Sequence, residues 1–262
     1  VIAYRIAYLM AEKRLAPWNI LAVTFTNKAA REMRERVEKL AGESSHGLWI
    51  GTFHSICARM LRQDGKGIGV DPGFTIYDRP DQIAAIKRAK EKCNLDDHKK
   101  FSNGAVIHEI SRAKSRFVFS GQYAETAGDY FEETVAKIYH EYQKILKDNN
   151  ALDFDDILMQ GVLLLTQNPA IGDVYRNRFH HVLVDEYQDT NRPQYLFLKE
   201  LALGHRRICV VGDDDQSIYR WRGADIQNIL SFKKDYPEAR VVRLEQNYRS
   251  TRNILSAAWH VV

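Results

Sequence analysis

The sequence predicts an α/β fold in which helices flank a parallel sheet and an all-helical segment interrupts the alternation of strands and helices. Short apolar runs alternate with helical stretches near the start of the chain and again after residue 150, which is typical of a parallel sheet. The run Val182–Val184 is apolar without a break, as expected for a strand buried on both faces. Residues 81–150 show helical periodicity, many charges and no convincing strand.

The composition is that of an ordinary globular protein. The 262 residues are 45% hydrophobic and 27% charged, and the net charge of +4 permits nucleic-acid binding without demanding it. Three scattered cysteines show neither metal spacing nor a disulfide framework, which favours a reducing, cytoplasmic compartment. No apolar run reaches membrane-spanning length, so we expect no membrane partner. The opening VIAYRIAYLM lacks an initiating Met and is typical of the middle of a helix, so we expect the chain to begin inside a larger protein.

The first part of the chain alternates between helices and strands. Pro17 ends the first helix, and Thr26 can cap the second one. The predicted elements are a helix over Val1–Arg14, a strand over Ile20–Phe25, a helix over Lys28–Leu40, a strand over Leu48–Ile50, and a helix that continues through Leu61.

The middle of the chain is predicted to be an inserted helical subdomain. Phe131, Val135, Ile138, Tyr142 and Ile145 recur at spacings of four and three, which indicates one amphipathic helix whose tyrosines belong to a core. We therefore divide the chain into the first part of an α/β domain at residues 1–77, an insertion at 78–150, and the second part of the α/β domain at 151–262.

The strand and helix pattern then resumes. Pro193 suits the first turn of a helix. The predicted elements are a helix over Asp153–Leu165, the strand Val182–Val184, a helix over Gln194–Leu203, and strands over Ile208–Val211 and Val241–Leu244.

Two acids, Asp185 and Glu186, follow the buried strand directly. Ligands of open α/β sheets bind outside the carboxyl ends of the strands, so these acids are expected at the ligand edge. The first carboxylate could hold Mg²⁺ and the second could orient an attacking water. The alternative is a pair of solvated acids that open a loop, with Asp189 capping the next helix.

The stretch VVGDDDQSIYRWRGA has the same pattern of a β-branched strand followed by polar residues. Gln216 can both donate and accept hydrogen bonds, so it could sense a terminal phosphate or position a water. Tyr219 and Trp221 with Arg222 suit single-stranded nucleic acid, because bases stack on aromatic rings for roughly 1–3 kcal/mol each. The alternative is that both aromatic residues belong to a core.

Further stretches carry weaker signals. In LEQNYRS, Arg249 could stabilise a γ-phosphate, although an Arg after a strand is usually a surface residue, and Tyr248 could stack on a base. Phe25 before a basic helix start could stack a base, or it could be a core residue. His54 in GTFHS has no metal-ligand partner nearby, so a hydrogen bond to DNA or a structural role remains. The acids of LDFDDI most simply favour a helix dipole.

In their order, TFTNKAAREM, GTFHS, LDFDD, VDEYQDT, VGDDDQSIYRWRGAD and LEQNYRS resemble the superfamily 1 DNA helicases of the UvrD/Rep/PcrA type, from end to end. The resemblance implies the first RecA-like P-loop NTPase domain with its helical subdomain. It also implies ATP-driven translocation on single-stranded DNA, 3′-to-5′ unwinding at single-strand/duplex junctions, a bacterial cytosolic location, a second motor domain in the same parent chain, and repair or replication proteins as partners.

The resemblance also assigns roles to residues. Asp185 corresponds to the Mg²⁺ ligand, with Glu186 beside it as the base for water, and Gln216 and Arg249 correspond to contacts with the γ-phosphate of ATP. Tyr248 corresponds to the residue against the adenine. The expected DNA contacts are Phe25, Thr26, Asn27, Thr52, His54, Tyr219, Trp221 and Arg222.

One departure from the family pattern concerns the phosphate loop. The chain contains no Gly-x-x-x-x-Gly-Lys-Ser/Thr, since Gly65-Lys66 is followed by Gly67. We therefore expect no ATPase activity from this chain alone. The alternatives are a non-catalytic single-stranded DNA-binding module, the motor part of a helicase–nuclease, and a metal-dependent nuclease or phosphatase that would use Asp185, Glu186 and Asp189.

Overall fold

The computed structural model describes residues 1–95, 101–247 and 250–260, apart from the side chains of residues 43, 44, 222 and 259. The strands are β1 Ile20–Thr24, β2 Trp49–Thr52, β3 Thr75–Tyr77, β4 Ala151–Asp153, β5 His181–Val184 and β6 Ile208–Val210. The helices are α1 Ile2–Ala11, α2 Asn27–Ala41, α3 Phe53–Asp64, α4 Arg79–Lys92, α5 Asn103–Ser115, α6 Ser120–Thr126, α7 Tyr130–Asp148, α8 Phe154–Gln167, α9 Pro169–Arg178, α10 Arg192–Ala202, α11 Gln227–Leu230, α12 Phe232–Asp235 and α13 Arg252–Trp259.

A four-stranded parallel sheet in the order β2-β1-β5-β6 forms the centre of the molecule. The α/β prediction is therefore confirmed. Val182, Leu183 and Val184 are fully buried, because side chains of successive strand residues enter the apolar cores on opposite faces of the sheet. The run without polar residues thus reflects a strand that is covered on both sides, as the sequence indicated.

Helices begin directly where the strands end. The Thr26 hydroxyl accepts a hydrogen bond from the backbone N–H of Ala29 at 3.1 Å, and Thr52 accepts one from Ser55 at 3.2 Å. Both threonines therefore cap the first turn of a helix, α2 in one case and α3 in the other. Because Thr24 pairs with Thr52 in the sheet, the two strand-to-helix joints lie side by side at one edge.

No helix in the described ranges is long and apolar enough to cross a membrane.

Helices α4 to α7 pack around a core of their own. Val135, Ile138, Tyr142 and Ile145 of α7 are buried in it, and Phe131 is partly buried against it. The amphipathic helix and the core placement of its tyrosines, which the spacing predicted, are therefore confirmed.

Two strands that the sequence did not predict enclose these helices. β3 pairs in parallel with β4, with Thr75 opposite Ala151 and Tyr77 opposite Asp153. Each strand has only three residues. That length is too short for an alternating pattern of apolar and polar residues to be recognised.

The strand predicted over Val241–Leu244 is wrong. The structure has no regular secondary structure there, and the side chains of Val241, Val242 and Leu244 are exposed. A β-branched run forms a strand only when a neighbouring strand pairs with it. Within the described residues β6 pairs only with β5, so this run has no partner.

Candidate functional site

Asp185 and Glu186 lie at the carboxyl end of β5, in the middle of the sheet edge. The backbone N–H of Asp185 donates to the carbonyl of Val23 at 3.0 Å, and that of Tyr187 donates to Val211 at 2.9 Å. Glu186 between them has left-handed backbone angles, φ 52° and ψ 43°, which are rare outside glycine. The backbone therefore turns sharply at Glu186, whose side chain is exposed to solvent.

The Asp185 carboxylate is half-buried, and the nearby positive charges and a backbone hydrogen bond offset its burial only in part. Burial, and secondly the charge of Glu186, raise the pKa of Asp185 above its usual range. No lysine or arginine of the described residues forms an ion pair with it. A bound cation would offset this unfavourable charge.

The donor set at this edge suits Mg²⁺. The described residues contain no cluster of three or more His, Cys, Asp or Glu side chains that could enclose a metal ion. Mg²⁺ is commonly held by one or two carboxylates, with waters and substrate phosphates completing its shell. Asp185 and Glu186 fit that pattern. The nuclease or phosphatase hypothesis, which would use Asp185, Glu186 and Asp189 together, gains no support from the described residues.

Asp189 does not cap the following helix, contrary to the alternative considered from sequence. The cap of α10 is Asn191, whose side chain accepts from the N–H of Gln194 at 3.1 Å. The Gln194 side chain accepts in return from the N–H of Asn191 at 2.9 Å. Asp189 has a buried carboxyl oxygen without a hydrogen-bond partner, and burial raises its pKa.

A series of hydrogen bonds runs from Glu186 to Gln216. The Gln188 amide donates to the Glu186 carboxylate at 2.8 Å and accepts from the backbone N–H of Asp213 at 3.1 Å. The Asp213 carboxylate then accepts from the Gln216 amide at 2.6 Å. The loop after β5 and the loop after β6 are thereby joined, which brings the two strongest predicted site segments together. Gln188 was missed from sequence, because its role is visible only once β5 and β6 are neighbours.

The aromatic residues after Gln216 face solvent. Tyr219 is 38% exposed and Trp221 is 67% exposed, with ring centroids 6.4 Å apart. The alternative that they belong to a core is therefore wrong. Gly223 ends this loop with φ 85°, and a Cβ there would lie 2.6 Å from the side chain of Ser115 in α5. The aromatic loop thus rests closely on the inserted helices.

The predicted DNA contacts on β1 and β2 lie next to each other at the same edge. Phe25 is half-buried and packs edge-on against Phe53, with ring centroids 5.5 Å apart. His54 packs edge-on against the exposed Phe154 at 5.7 Å, and burial lowers the pKa of His54 to about 4. His54 is therefore neutral at pH 7. Asn27 is exposed in the first turn of α2.

Three of the predicted site residues cannot be placed. Tyr248 and Arg249 lie outside the described residues, and so does the side chain of Arg222. Their assignments stay predictions.

The acids of LDFDDI do more than favour a helix dipole. Asp153 caps α8, and its carboxylate and that of Asp156 accept from the Lys114 ammonium at 2.7 and 2.8 Å. Burial alone lowers the pKa of Lys114, but the two carboxylates more than offset it and raise that pKa. Tyr142 also donates to Asp153 at 2.9 Å. This buried cluster ties α5 and α7 of the insertion to α8, and no local pattern around residue 114 indicated that Lys114 is the partner.

The comparisons with known proteins agree with this architecture. The family described as UvrD/REP helicase N-terminal domain matches residues 1–237. A protein of Bacillus subtilis strain 168 named ATP-dependent DNA helicase PcrA is 52% identical over all 262 residues, which cover 35% of its length. Proteins of the same name from Staphylococcus aureus strain Mu50 and Staphylococcus epidermidis are 51% and 50% identical over the whole chain, which covers 36% of each.

The chain thus spans about a third of the length of the curated relatives it matches. The match of the family extends over both parts of the α/β sheet and the helices between them. It includes the acids after β5 and the aromatic loop after β6. The chain therefore belongs to the UvrD/REP helicase N-terminal domain family.

Proposed function

We propose that this chain is part of the first motor domain of an ATP-dependent DNA helicase that moves 3′-to-5′ along single-stranded DNA. The observation that carries the proposal is the hydrogen-bonded series from Glu186 to Gln216, which ends beside the exposed Tyr219 and Trp221. ATP hydrolysis at the loop after β5 could thereby move a DNA strand that is bound at the loop after β6. The name of the relatives, ATP-dependent DNA helicase, supports the same activity.

In this proposal Asp185 holds Mg²⁺, and Glu186 accepts a proton from the water that attacks the γ-phosphorus of ATP. Mg²⁺ supplies charge neutralisation at the phosphates when bound. The raised pKa of Asp185 supports its role, since burial disfavours the charged carboxylate and a bound cation would stabilise it. Gln216 would contact the γ-phosphate, with Arg249 as a second contact and Tyr248 against the adenine.

DNA would bind along the same edge of the sheet. Tyr219 and Trp221 would stack on bases, with Arg222 at a phosphate. Phe25 and His54 present aromatic rings beside the start of α2, where Thr26 and Asn27 leave backbone N–H groups for a phosphate. Thr52 would contribute in the same way, through the backbone N–H groups at the start of α3, the helix that it caps. The hydroxyls of Thr26 and Thr52 already serve as caps, so the backbone would make these contacts.

We further propose that residues 78–150 form the inserted subdomain and residues 1–77 and 151–262 the motor domain. The separate core of α4 to α7 supports that division. The substrates would be single-stranded DNA and its junctions with duplex, in a bacterial cytoplasm, with a second motor domain of the parent chain and with repair or replication proteins as partners. Because the 262 residues contain no Gly-x-x-x-x-Gly-Lys-Ser/Thr, we expect no ATP turnover from this chain alone.

The test uses the full-length parent protein and two variants. Glu186→Gln should abolish DNA-stimulated ATP hydrolysis while ATP binding persists, because the amide cannot accept the proton of water. Trp221→Ala should weaken single-stranded DNA binding by about 1–3 kcal/mol and leave ATP binding unchanged. DNA affinity of the wild type should fall with rising salt. Full turnover by Glu186→Gln, or an unchanged DNA titration by Trp221→Ala, would contradict the assigned roles.

A further inference from the structure

Gln188 is a buried polar residue between the two functional loops. Its side chain is 1% exposed. Both ends of its amide are used, since the nitrogen donates to the Glu186 carboxylate at 2.8 Å and the oxygen accepts from the Asp213 N–H at 3.1 Å. A buried side-chain amide with both groups satisfied has one favoured position.

The surroundings of Gln188 leave it little freedom. A Cβ on Gly212 would lie 2.6 Å from the Gln188 side-chain oxygen and 2.8 Å from Ile229. Gly212 therefore lets the loop after β6 approach Gln188 closely, and the two loops pack without space for a further methyl group. The approach of the two loops is a feature of the backbone as well as of the hydrogen bonds.

Glu186, in contrast, has little else to hold it. Its side chain is exposed, and its backbone is in the strained left-handed region. Among the described residues, the hydrogen bond from Gln188 is the one that fixes the Glu186 carboxylate. An exposed carboxylate without such a bond would sample several rotamers and would seldom be aligned with a reacting water.

We propose that Gln188 is a positioning residue that orients the Glu186 carboxylate and ties it to the loop of Asp213 and Gln216. This inference rests on the proposed function, since it concerns how that activity is tuned. Because Gln188 is buried, we expect it to contact neither nucleotide nor DNA. Its amide passes a displacement of either loop to the other, so the state of the loop that precedes the aromatic residues sets the alignment of Glu186.

The bridge needs a donor and an acceptor on one side chain, and the amide of Gln188 supplies both at neutral pH. A glutamate at position 188 keeps the acceptor for the Asp213 N–H but replaces the donor to Glu186 with a second carboxylate. A methionine has a similar length and is unbranched, but it makes neither hydrogen bond. Gln188→Glu therefore removes only the hydrogen bond to Glu186, whereas Gln188→Met removes both hydrogen bonds. Neither substitution changes the side-chain volume much.

The experiment measures steady-state ATP hydrolysis by the full-length parent with and without single-stranded DNA. Gln188→Met and Gln188→Glu should each lower the DNA-stimulated kcat by about 10- to 100-fold, the loss typical of a misplaced reacting group. The KM for ATP and the Kd for DNA should stay within about twofold, because ground-state binding is untouched.

The matched control is Gln194→Met. Gln194 is also buried and also accepts from a backbone N–H, that of Asn191 at 2.9 Å, but it serves the cap of α10. Gln194→Met should lower the thermal midpoint about as much as Gln188→Met and leave kcat unchanged. Equal losses of kcat in both Met variants would mean a structural role and would overturn the proposal.

The remaining outcomes are also decisive. A wild-type kcat in Gln188→Met would show that neither hydrogen bond of Gln188 affects catalysis and would overturn the proposal. A wild-type kcat in Gln188→Glu would show that the hydrogen bond to Glu186 does not position its carboxylate, which would also overturn the proposal. In both cases the proposed function would stand, because the wild type still turns over ATP. Absence of DNA-stimulated turnover in the wild-type parent would instead refute the proposed function itself.

Discussion

Replacing Lys114 with methionine should destabilise the protein more than any surface substitution. Lys114 is fully buried, and its ammonium lies 2.7 Å from a carboxyl oxygen of Asp153 and 2.8 Å from one of Asp156. Burial raises the pKa of Asp156 to about 7, whereas Lys114 keeps the pKa of Asp153 low despite its burial. In the variant, two buried carboxyl groups would face each other without a cation.

The expected loss follows from the burial of the cluster. Removing one partner of a buried ion pair costs about 3–5 kcal/mol, because the remaining charge stays out of water. Exposed pairs contribute about 0–1 kcal/mol, so the two situations are easily separated. The pH dependence should change as well. Without Lys114 the folded-state pKa of Asp153 rises above its unfolded value, so the variant gains stability as pH falls from 7 to 5.

The assay is urea denaturation of the chain at pH 7 and pH 5, followed by circular dichroism. Adding Asp153→Asn to Lys114→Met should recover part of the loss, since asparagine still caps α8 and carries no charge. A loss below about 1 kcal/mol for Lys114→Met, equal at both pH values, would refute the reasoning, because it is the value of a solvated pair.

Three other substitutions test single features. Asp185→Asn should raise the free energy of unfolding by about 0.5–2 kcal/mol, since it removes a half-buried charge, and should weaken Mg²⁺ binding in the parent; a lower thermal midpoint would contradict this. His54→Phe should reduce the stability lost on acidification, because a folded-state pKa of about 4 lies below the unfolded value and stability falls as pH drops from 6.5 to 4. The free energy of unfolding that is lost between pH 7 and pH 4, measured by denaturation, should be about 1–3 kcal/mol smaller in the variant than in the wild type. An equal loss in both proteins would disprove this reasoning. Gly223→Ala should cost about 1–3 kcal/mol in strain and weaken DNA binding by the parent, because its Cβ meets Ser115 at 2.6 Å. The control is Gly204→Ala, which has φ 107° and open space and should leave DNA binding unchanged in the same titration.

The sheet was predictable where a strand is buried on both faces. Val182–Val184 has no polar residue because both faces are covered, and that is a property of the run itself. Val241–Leu244 is also rich in β-branched and aliphatic residues, although it includes Arg243, but it has no neighbouring strand with which to pair, and pairing is not encoded in the run. Local signals such as the Thr26 cap were equally visible, since the donor and acceptor lie three residues apart.

The candidate site was predictable as a set of segments but not as a network. Asp185 and Glu186 were identified because acids after a buried strand fall at the ligand edge of the sheet. Gln188 could not be identified, because its partner Asp213 lies 25 positions away in the loop after a neighbouring strand. Lys114 was hidden for the same reason, with its partner Asp153 at a separation of 39 residues. Contacts between distant residues depend on the fold, which single-sequence patterns indicate only in outline.

The short pair β3 and β4 determines how the inserted helices are attached. Its strands run in the same direction, so the chain leaves at Tyr77 and returns at Ala151, at opposite ends of the pair. A tight turn can join antiparallel strands but not parallel ones, which need a crossover of a dozen residues or more. Excising the helices and splicing the cut ends with a two-residue hairpin would therefore break the pair. The helices are the crossover itself, and gene-level shortening of this region must retain a connection long enough to pass from one end of the strands to the other.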